Sequence, residues 1–323
     1  MGVLYRIRRE IVFFVYILFV LFLGFWVGEF YCRKNNICKL AEFRYRDWPN
    51  MDIFTTSEVL PFEVVSNIPN YTNSLGMRDK EYSLRKKKGI YRIIVLGDSI
   101  TMYGEYTDYL EEDLSREFGS KFEVWNCAIG GHGVKDYYYN LRYRCIKYSP
   151  DMLIVGLCIN DFALTPVIFK TQDGRMHCYR PFALFKNNSD NFLYCHSNLY
   201  RFILIKLEGM AARRNQTTME STGRLYMSKI KEIARRQKIP VLAVIFPYFK
   251  FDSEFNEDYK VMRKVVAELN VECIDLHTVF NKDERGRFLD NPDDYIHPNS
   301  KAHRIVADLV REYVIGRYKE TLQ

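Results

Sequence analysis

The sequence predicts an α/β domain on a parallel sheet with helices on both faces, preceded by one N-terminal transmembrane helix. Three observations carry this reading. From residue 91 onward, short apolar runs alternate five times with helical segments. The runs are apolar almost without interruption, as strands covered on both faces must be. Between Glu10 and Glu29 lie eighteen residues without a charge. A chain of 323 residues that is 48% apolar and 27% charged also excludes a disordered regulator or a small disulfide scaffold.

The uncharged run IVFFVYILFVLFLGFWVG, residues 11–28, would span about 27 Å as a helix, roughly one bilayer core. It has no polar face. RIRRE precedes it, and Trp26, Phe30 and Tyr31 stand at its far end, where amphipathic rings settle at a membrane interface. A cleaved signal peptide is the competing reading. It calls for a shorter apolar core and small residues at the cleavage site, which Gly24 and Gly28 supply poorly. Arg6, Arg8 and Arg9 favour a cytoplasmic N-terminus with the bulk of the chain outside the cytosol, although Arg33, Lys34 and Lys39 follow on the other side.

Charge argues against a nucleic-acid partner. Of the net +7, residues 1–40 contribute +4, and the run from Arg85 to Arg92 holds five positive charges by itself. Phosphate-backbone binding needs basic residues spread over a groove or helix face. The RKKK run reads as a solvated loop that could meet anionic headgroups near a membrane.

Residues 41–90, with Pro49, Pro61 and Pro69 and no clear period, read as an extended lead-in. YRIIVLG is then a buried strand ending in a sharp turn, and EYTDYLEEDLSREF places Tyr106, Leu110, Leu114 and Phe118 on one helical face. FEVWNCAIGG is a second strand and turn, VKDYYYNLRYRCIKY an aromatic-rich helix, and DMLIVGLCIND a third strand. A helix around 222–238, the strand PVLAVIFPY, a helix around 255–269, the strand VECIDLH and a helix from about 299 to 317 complete the pattern. The interval 162–221 is too long for an ordinary connection and reads as an insertion or lid. The expected organisation is therefore an anchor with flanks over 1–40, the lead-in over 41–90, and a catalytic domain over 91–323.

Cys32 with Cys38, and Cys178 with Cys195, could bridge in an oxidising compartment. Cys127, Cys145, Cys158 and Cys273 lie in apolar runs and read as buried thiols. His177, Cys178, Cys195 and His196 match no common zinc spacing, so no metal and no cofactor are expected.

In an open parallel sheet, reactive groups belong just past the carboxyl ends of the strands. The first strand ends in Gly97-Asp98-Ser99, the second in NCAIGGHG with Asn126 and Gly131, and the third in CIND with Asn160. DDYIHPNS follows the last strand and sets Asp294 three residues before His297. Pro298 suits the first turn of the terminal helix, which would hold His297 at the sheet mouth. Serine is a weak nucleophile alone. A histidine must take its proton while an aspartate fixes the tautomer and supports the imidazolium. Ser99, His297 and Asp294 supply that set, and Asp98 braces the turn. His132 reads as a pocket residue, and Tyr137, Tyr138 and Tyr139 as core or, less simply, a sugar-binding surface.

Together these blocks resemble the SGNH/GDSL hydrolase family over roughly residues 73–315. Its serine block is similar to Gly97-Asp98-Ser99, its second-block glycine to Gly131 with Asn126 alongside, its third-block asparagine to Asn160, and its last block to Asp294 and His297. The lead-in NSLGMRDKEY is similar to that of membrane-tethered or secreted members. The resemblance implies a three-layer α/β/α sandwich of flavodoxin-like character. It also implies an oxyanion hole made by the amides of Ser99 and Gly131 and the side-chain NH₂ of Asn160. One place departs: many members have glycine where Cys158 stands. The implied activity is that of a serine esterase releasing acyl, most simply acetyl, groups from an extracytoplasmic glycan. Three alternatives stay open: an O-acetyltransferase with the same residues and a membrane-bound acyl-transfer partner, a lipid acyl hydrolase, and a non-catalytic glycan-binding scaffold.

Overall fold

The computed structural model describes residues 2–35, 37, 53–163, 167–170, 176–179, 192–212, 216–249, 256–280, 286–291, 294 and 296–321. In chain order these form α1 (Gly2–Lys34), β1 (Phe54–Thr55), β2 (Glu63–Val64), β3 (Tyr91–Leu96), α2 (Ser99–Met102), α3 (Tyr106–Phe118) and β4 (Phe122–Asn126). Next come α4 (Val134–Asn140), β5 (Met152–Leu157), β6 (Val167–Lys170), β7 (Met176–Tyr179), α5 (Phe192–His196) and α6 (Asn198–Ala212). The chain ends with α7 (Gln216–Gln237), β8 (Val241–Ile245), α8 (Asn256–Glu268), β9 (Glu272–Asp275) and α9 (Ser300–Thr321). Two compact units result: Met1–Met51 with Phe169–Arg214, and Asp52–Ile168 with Asn215–Gln323.

In the first unit, Arg6–Lys34 is long and apolar enough to cross a membrane. Its aromatic side chains, Phe13, Phe14, Phe19 and Phe22 among them, face outward. Near its end, Glu29 caps the start of α6. It accepts hydrogen bonds from Ser197 Oγ (2.7 Å) and from the amides of Asn198 (3.1 Å) and Leu199 (2.8 Å). Arg33 Nε donates to the same carboxylate at 2.6 Å. Cys32 is a buried free thiol, so the bridge expected to Cys38 is not made; the side chains of Cys178 and Cys195 lie outside the described residues. Much of the interval expected as a lid, including residues 171–175 and 180–191, also lies outside them.

The second unit is built on a five-stranded sheet ordered β4-β3-β5-β8-β9, every pair parallel. Counted along the chain, that is the doubly wound order 2-1-3-4-5, whose direction of winding reverses between β3 and β5. The alternation along β3 explains the two helical layers. Ile93 and Val95 enter a core with α3 and α9, while Ile94 and Leu96 enter the opposite core with α4, α7 and α8. All four are fully buried, which is why the run reads as uninterrupted rather than alternating.

Several local expectations change. The aromatic helix stops at Asn140 and continues as a π turn, Leu141–Cys145, and a 3-10 turn, Ile146–Tyr148. Ser149 then takes a left-handed φ of 57° to enter β5. Residues 53–90 are not featureless: Phe54–Thr55 pairs antiparallel with Glu63–Val64 and buries Phe62. Cys273 is exposed because β9 is the sheet's edge strand. Arg92, counted in the basic run, is fully buried. Its Nε donates to Glu123 at 2.8 Å and its guanidinium lies 4.3 Å from the Trp125 ring centroid. Lys86 pairs with Asp151 at 2.7 Å. The run thus spends part of its charge on packing.

Candidate active site

The end of β3 explains the serine block residue by residue. A Cβ on Gly97 would lie 2.3 Å from Thr101 Oγ1, and so would a Cβ on Gly156 of β5. Thr101 is a buried wedge between the two strand ends, held by a 3.1 Å hydrogen bond with the Tyr106 hydroxyl. Only glycine leaves room for it. Asp98 then caps α2, accepting from the Ile100 amide at 2.9 Å. Its carboxyl is buried, and loss of water pushes its pKa up to about 6, against the opposing pull of that amide and of His297. Ser99 opens the short helix and is half-buried.

His297 reaches Ser99 from the other end of the chain. Ser99 Oγ and His297 Nε2 are 2.8 Å apart, and His297 Nδ1 lies 2.8 Å from Asp294 Oδ2. Asp294 Oδ1 also accepts from the amides of Ile296 and His297, each at 3.0 Å. Partial burial pushes this carboxyl up, but the amides and the imidazole outweigh it and hold its pKa below the usual carboxylate range. An ionised Asp294 only accepts, so Nδ1 carries the proton and Nε2 is left to accept from the Ser99 hydroxyl. Pro298 sits outside the terminal helix. Asn299 is the cap instead, its Oδ1 accepting from the Ala302 amide at 3.3 Å.

The remaining blocks meet the same edge. Asn126 Nδ2 donates to the Thr101 carbonyl at 2.9 Å, tying the end of β4 to α2. Gly131 adopts φ 79°, a left-handed conformation that favours glycine. Neighbouring Gly130 backs onto Ser99: a Cβ there would lie 3.5 Å from the serine Cβ. The amides of Ser99 and Gly131 donate to no acceptor among the described residues. Asn160 is exposed in a 3-10 turn after β5, and the Tyr248 hydroxyl donates to its Oδ1 at 3.3 Å. The Asn160 NH₂ donates to no acceptor among the described residues. Cys158, which stands where many members of the resembled family have glycine, is buried, and its amide donates to Asp161 Oδ2 at 2.7 Å.

His132 does not join the group. It is 2% exposed, its Nε2 lies 3.1 Å from the Phe62 carbonyl, and burial lowers its pKa. Tyr137 and Tyr138 are buried as core residues. Two neighbours went unread in the sequence: Tyr248, and Tyr103, whose ring centroid is 6.0 Å from that of His297. Tyr248 follows β8, so its position at a strand's carboxyl end was the available signal. Among the described residues no cluster of His, Cys, Asp and Glu could hold a metal.

A hydroxyl, an oriented imidazole and a carboxylate stand in one hydrogen-bonded line at the mouth of a parallel sheet, the arrangement that nucleophilic serine catalysis requires. Residues 95–305 match the model of the GDSL-like lipase/acylhydrolase family, and the chain belongs to that family. The fold is similar to that of a lipase/acylhydrolase from Enterococcus faecalis, at 17% identity and a TM-score of 0.45 over 71% of this chain and 97% of that one. It is also similar to an acetyl xylan esterase (19%, 0.43, 69% and 98%). A two-domain esterase active on acetylated mannans is similar too (15%, 0.44, 70% and 49%). No curated protein matches the sequence.

Proposed function

We propose that this chain is a serine esterase that removes acyl groups, most simply acetyl, from an extracytoplasmic glycan. The observation that carries the reading is the line Asp294–His297–Ser99 with its two 2.8 Å contacts. Ser99 Oγ attacks the ester carbonyl while His297 Nε2 takes its proton. The imidazolium is supported by Asp294. The oxyanion settles on the amides of Ser99 and Gly131 and the Asn160 NH₂. As the tetrahedral adduct collapses, His297 returns the proton to the leaving alcohol, and an acyl-Ser99 ester remains. Water, deprotonated by the same imidazole, then releases the acid and restores the serine. Asp98 and Asn126 hold the serine turn and take no part in proton transfer.

The apolar helix supports placing this chemistry at a membrane surface, with the N-terminus cytoplasmic and the catalytic unit outside. Time-resolved mass spectrometry with p-nitrophenyl acetate tests the reading. A +42 Da adduct on Ser99 that decays in water is expected, and Ser99→Ala should lose at least about 10⁴-fold in turnover. Activity retained by the purified alanine variant would sink the assignment. Discharge of the adduct onto an added sugar, rather than onto water, would make the chain an acetyltransferase.

A further inference from the structure

Beside the serine turn lies a cavity of about 450 Å³ that the reaction steps above do not use. Its walls include Tyr71 and Arg78 from the lead-in, Tyr103 from the end of α2, and Glu105 and Asp108 from the start of α3. Tyr103 ties it to the chemistry: its amide donates to the Ser99 carbonyl at 2.9 Å, and its ring meets His297 edge-on. One wall of the cavity is therefore also a neighbour of the catalytic imidazole.

Arg78 is the unusual member. Its guanidinium lies 5.5 Å and 5.2 Å from the ring centroids of Tyr71 and Tyr103. Its one hydrogen bond is a long contact of 3.4 Å to the Met102 carbonyl, and it makes no ion pair among the described residues. Glu105 and Asp108 stand near enough to feel its charge without pairing with it. The other charges are occupied: Lys80 is paired with Glu111, Glu81 accepts from the Ser74 hydroxyl and amide, and Asp79 accepts from the Asn126 amide and the Tyr82 hydroxyl. Glu105 itself also accepts from the Tyr109 hydroxyl. One cation facing two carboxylates gives an anionic ligand no net attraction. A predominantly polar lining does not suit an acyl tail. Charged donors and acceptors beside tyrosine rings suit a neutral ring with hydroxyls at its edge and C–H groups on its face.

We propose that this cavity is the glycosyl subsite, seating a neutral pyranose of the glycan whose ester is presented past Tyr103 to Ser99. The inference rests on the glycan-ester reading and names which part of the molecule would recognise the sugar. Its test is a ratio: kcat/KM for chemically O-acetylated xylo- and manno-oligosaccharides divided by kcat/KM for p-nitrophenyl acetate. Wild type is compared with Arg78→Met and Tyr71→Ala, two substitutions at separate points of the lead-in, with melting curves to establish that each is folded. The ratio should fall at least tenfold in either folded variant, through KM for the oligosaccharide. Acetylated oligogalacturonide, an anionic probe, should be the poorer wild-type substrate. An unchanged ratio in folded variants of an enzyme that cleaves the neutral oligosaccharides would overturn the subsite and leave the esterase reading standing. Cleavage of p-nitrophenyl acetate but of none of the oligosaccharides would overturn both. A preference for oligogalacturonide would overturn the neutral-sugar assignment.

Discussion

Asp98 and Asp294 flank the same serine and are driven in opposite directions. Asp98 belongs to the strand side of the site. It is buried against the end of β3, where loss of water outweighs the backbone hydrogen bonds it accepts and the nearby imidazole, and its pKa rises to about 6. Asp294 belongs to the loop side. It is half-exposed, and two amides with an imidazole outweigh its smaller burial, so its pKa falls. Environments that separate two carboxyls in this way assign them different work. A group that resists ionisation makes a poor support for an imidazolium, so Asp98 is a structural cap. A group that stays ionised is suited to hold His297 by Nδ1.

Exchanging each carboxyl for its amide is the largest test of that division. Asp294→Asn offers His297 an amide where it needs a carboxylate, which fixes the wrong tautomer. Turnover of p-nitrophenyl acetate should fall by about 10³- to 10⁴-fold. Asp98→Asn keeps an acceptor for the Ile100 amide and should cost less than about tenfold. Similar losses in the two variants would erase the distinction. Asn160→Ala comes next. Removing one oxyanion donor should lower kcat by about 10²- to 10³-fold, with KM nearly unchanged because the donor acts on the transition state. A loss confined to KM would instead make Asn160 a substrate-binding residue.

The strand side was largely legible in the sequence because its signals are local. A glycine that must clear Thr101, an aspartate capping the Ile100 amide and the serine between them lie within five residues, at the end of a run whose burial is plain. Asp294 and His297 were legible for the same reason, being three residues apart, although Pro298 precedes the terminal helix instead of lying in its first turn. Asn299 caps better because its side chain accepts a hydrogen bond and proline's cannot. What the sequence hid depends on pairings between distant segments. Arg78 meets Tyr103 across 25 residues, and Tyr248 meets Asn160 across 88. The strands of the Phe54–Val64 hairpin are two residues long, too short to show a period. Neither Tyr103 nor His132 carries a local mark that tells an active-site wall from a packed interior. Cys273 misled for a related reason: the VECIDL run looks buried, but an edge strand covers less of its length.

The smallest effect concerns stability, and there the two carboxyls should give opposite signs. Below about pH 4, Asp98 is protonated in both folded and unfolded chains and contributes no pH dependence. Between about pH 4 and 6 the unfolded chain has released this proton while the folded one keeps it. Folding then binds a proton, and stability falls as pH rises. Asp98→Asn removes that fall, so its Tm should gain on wild type across the interval, by on the order of 5 °C. Asp294 behaves in reverse. Its lowered pKa adds stability above about pH 4, and that stability is lost as the pH falls through the folded-state value. The Tm deficit of Asp294→Asn should therefore shrink on acidification. Thermal melts of the three proteins from pH 3 to 8 read both slopes together. Parallel curves would mean that the two carboxyls share one environment, and the assignment of cap and triad acid would have to be given up.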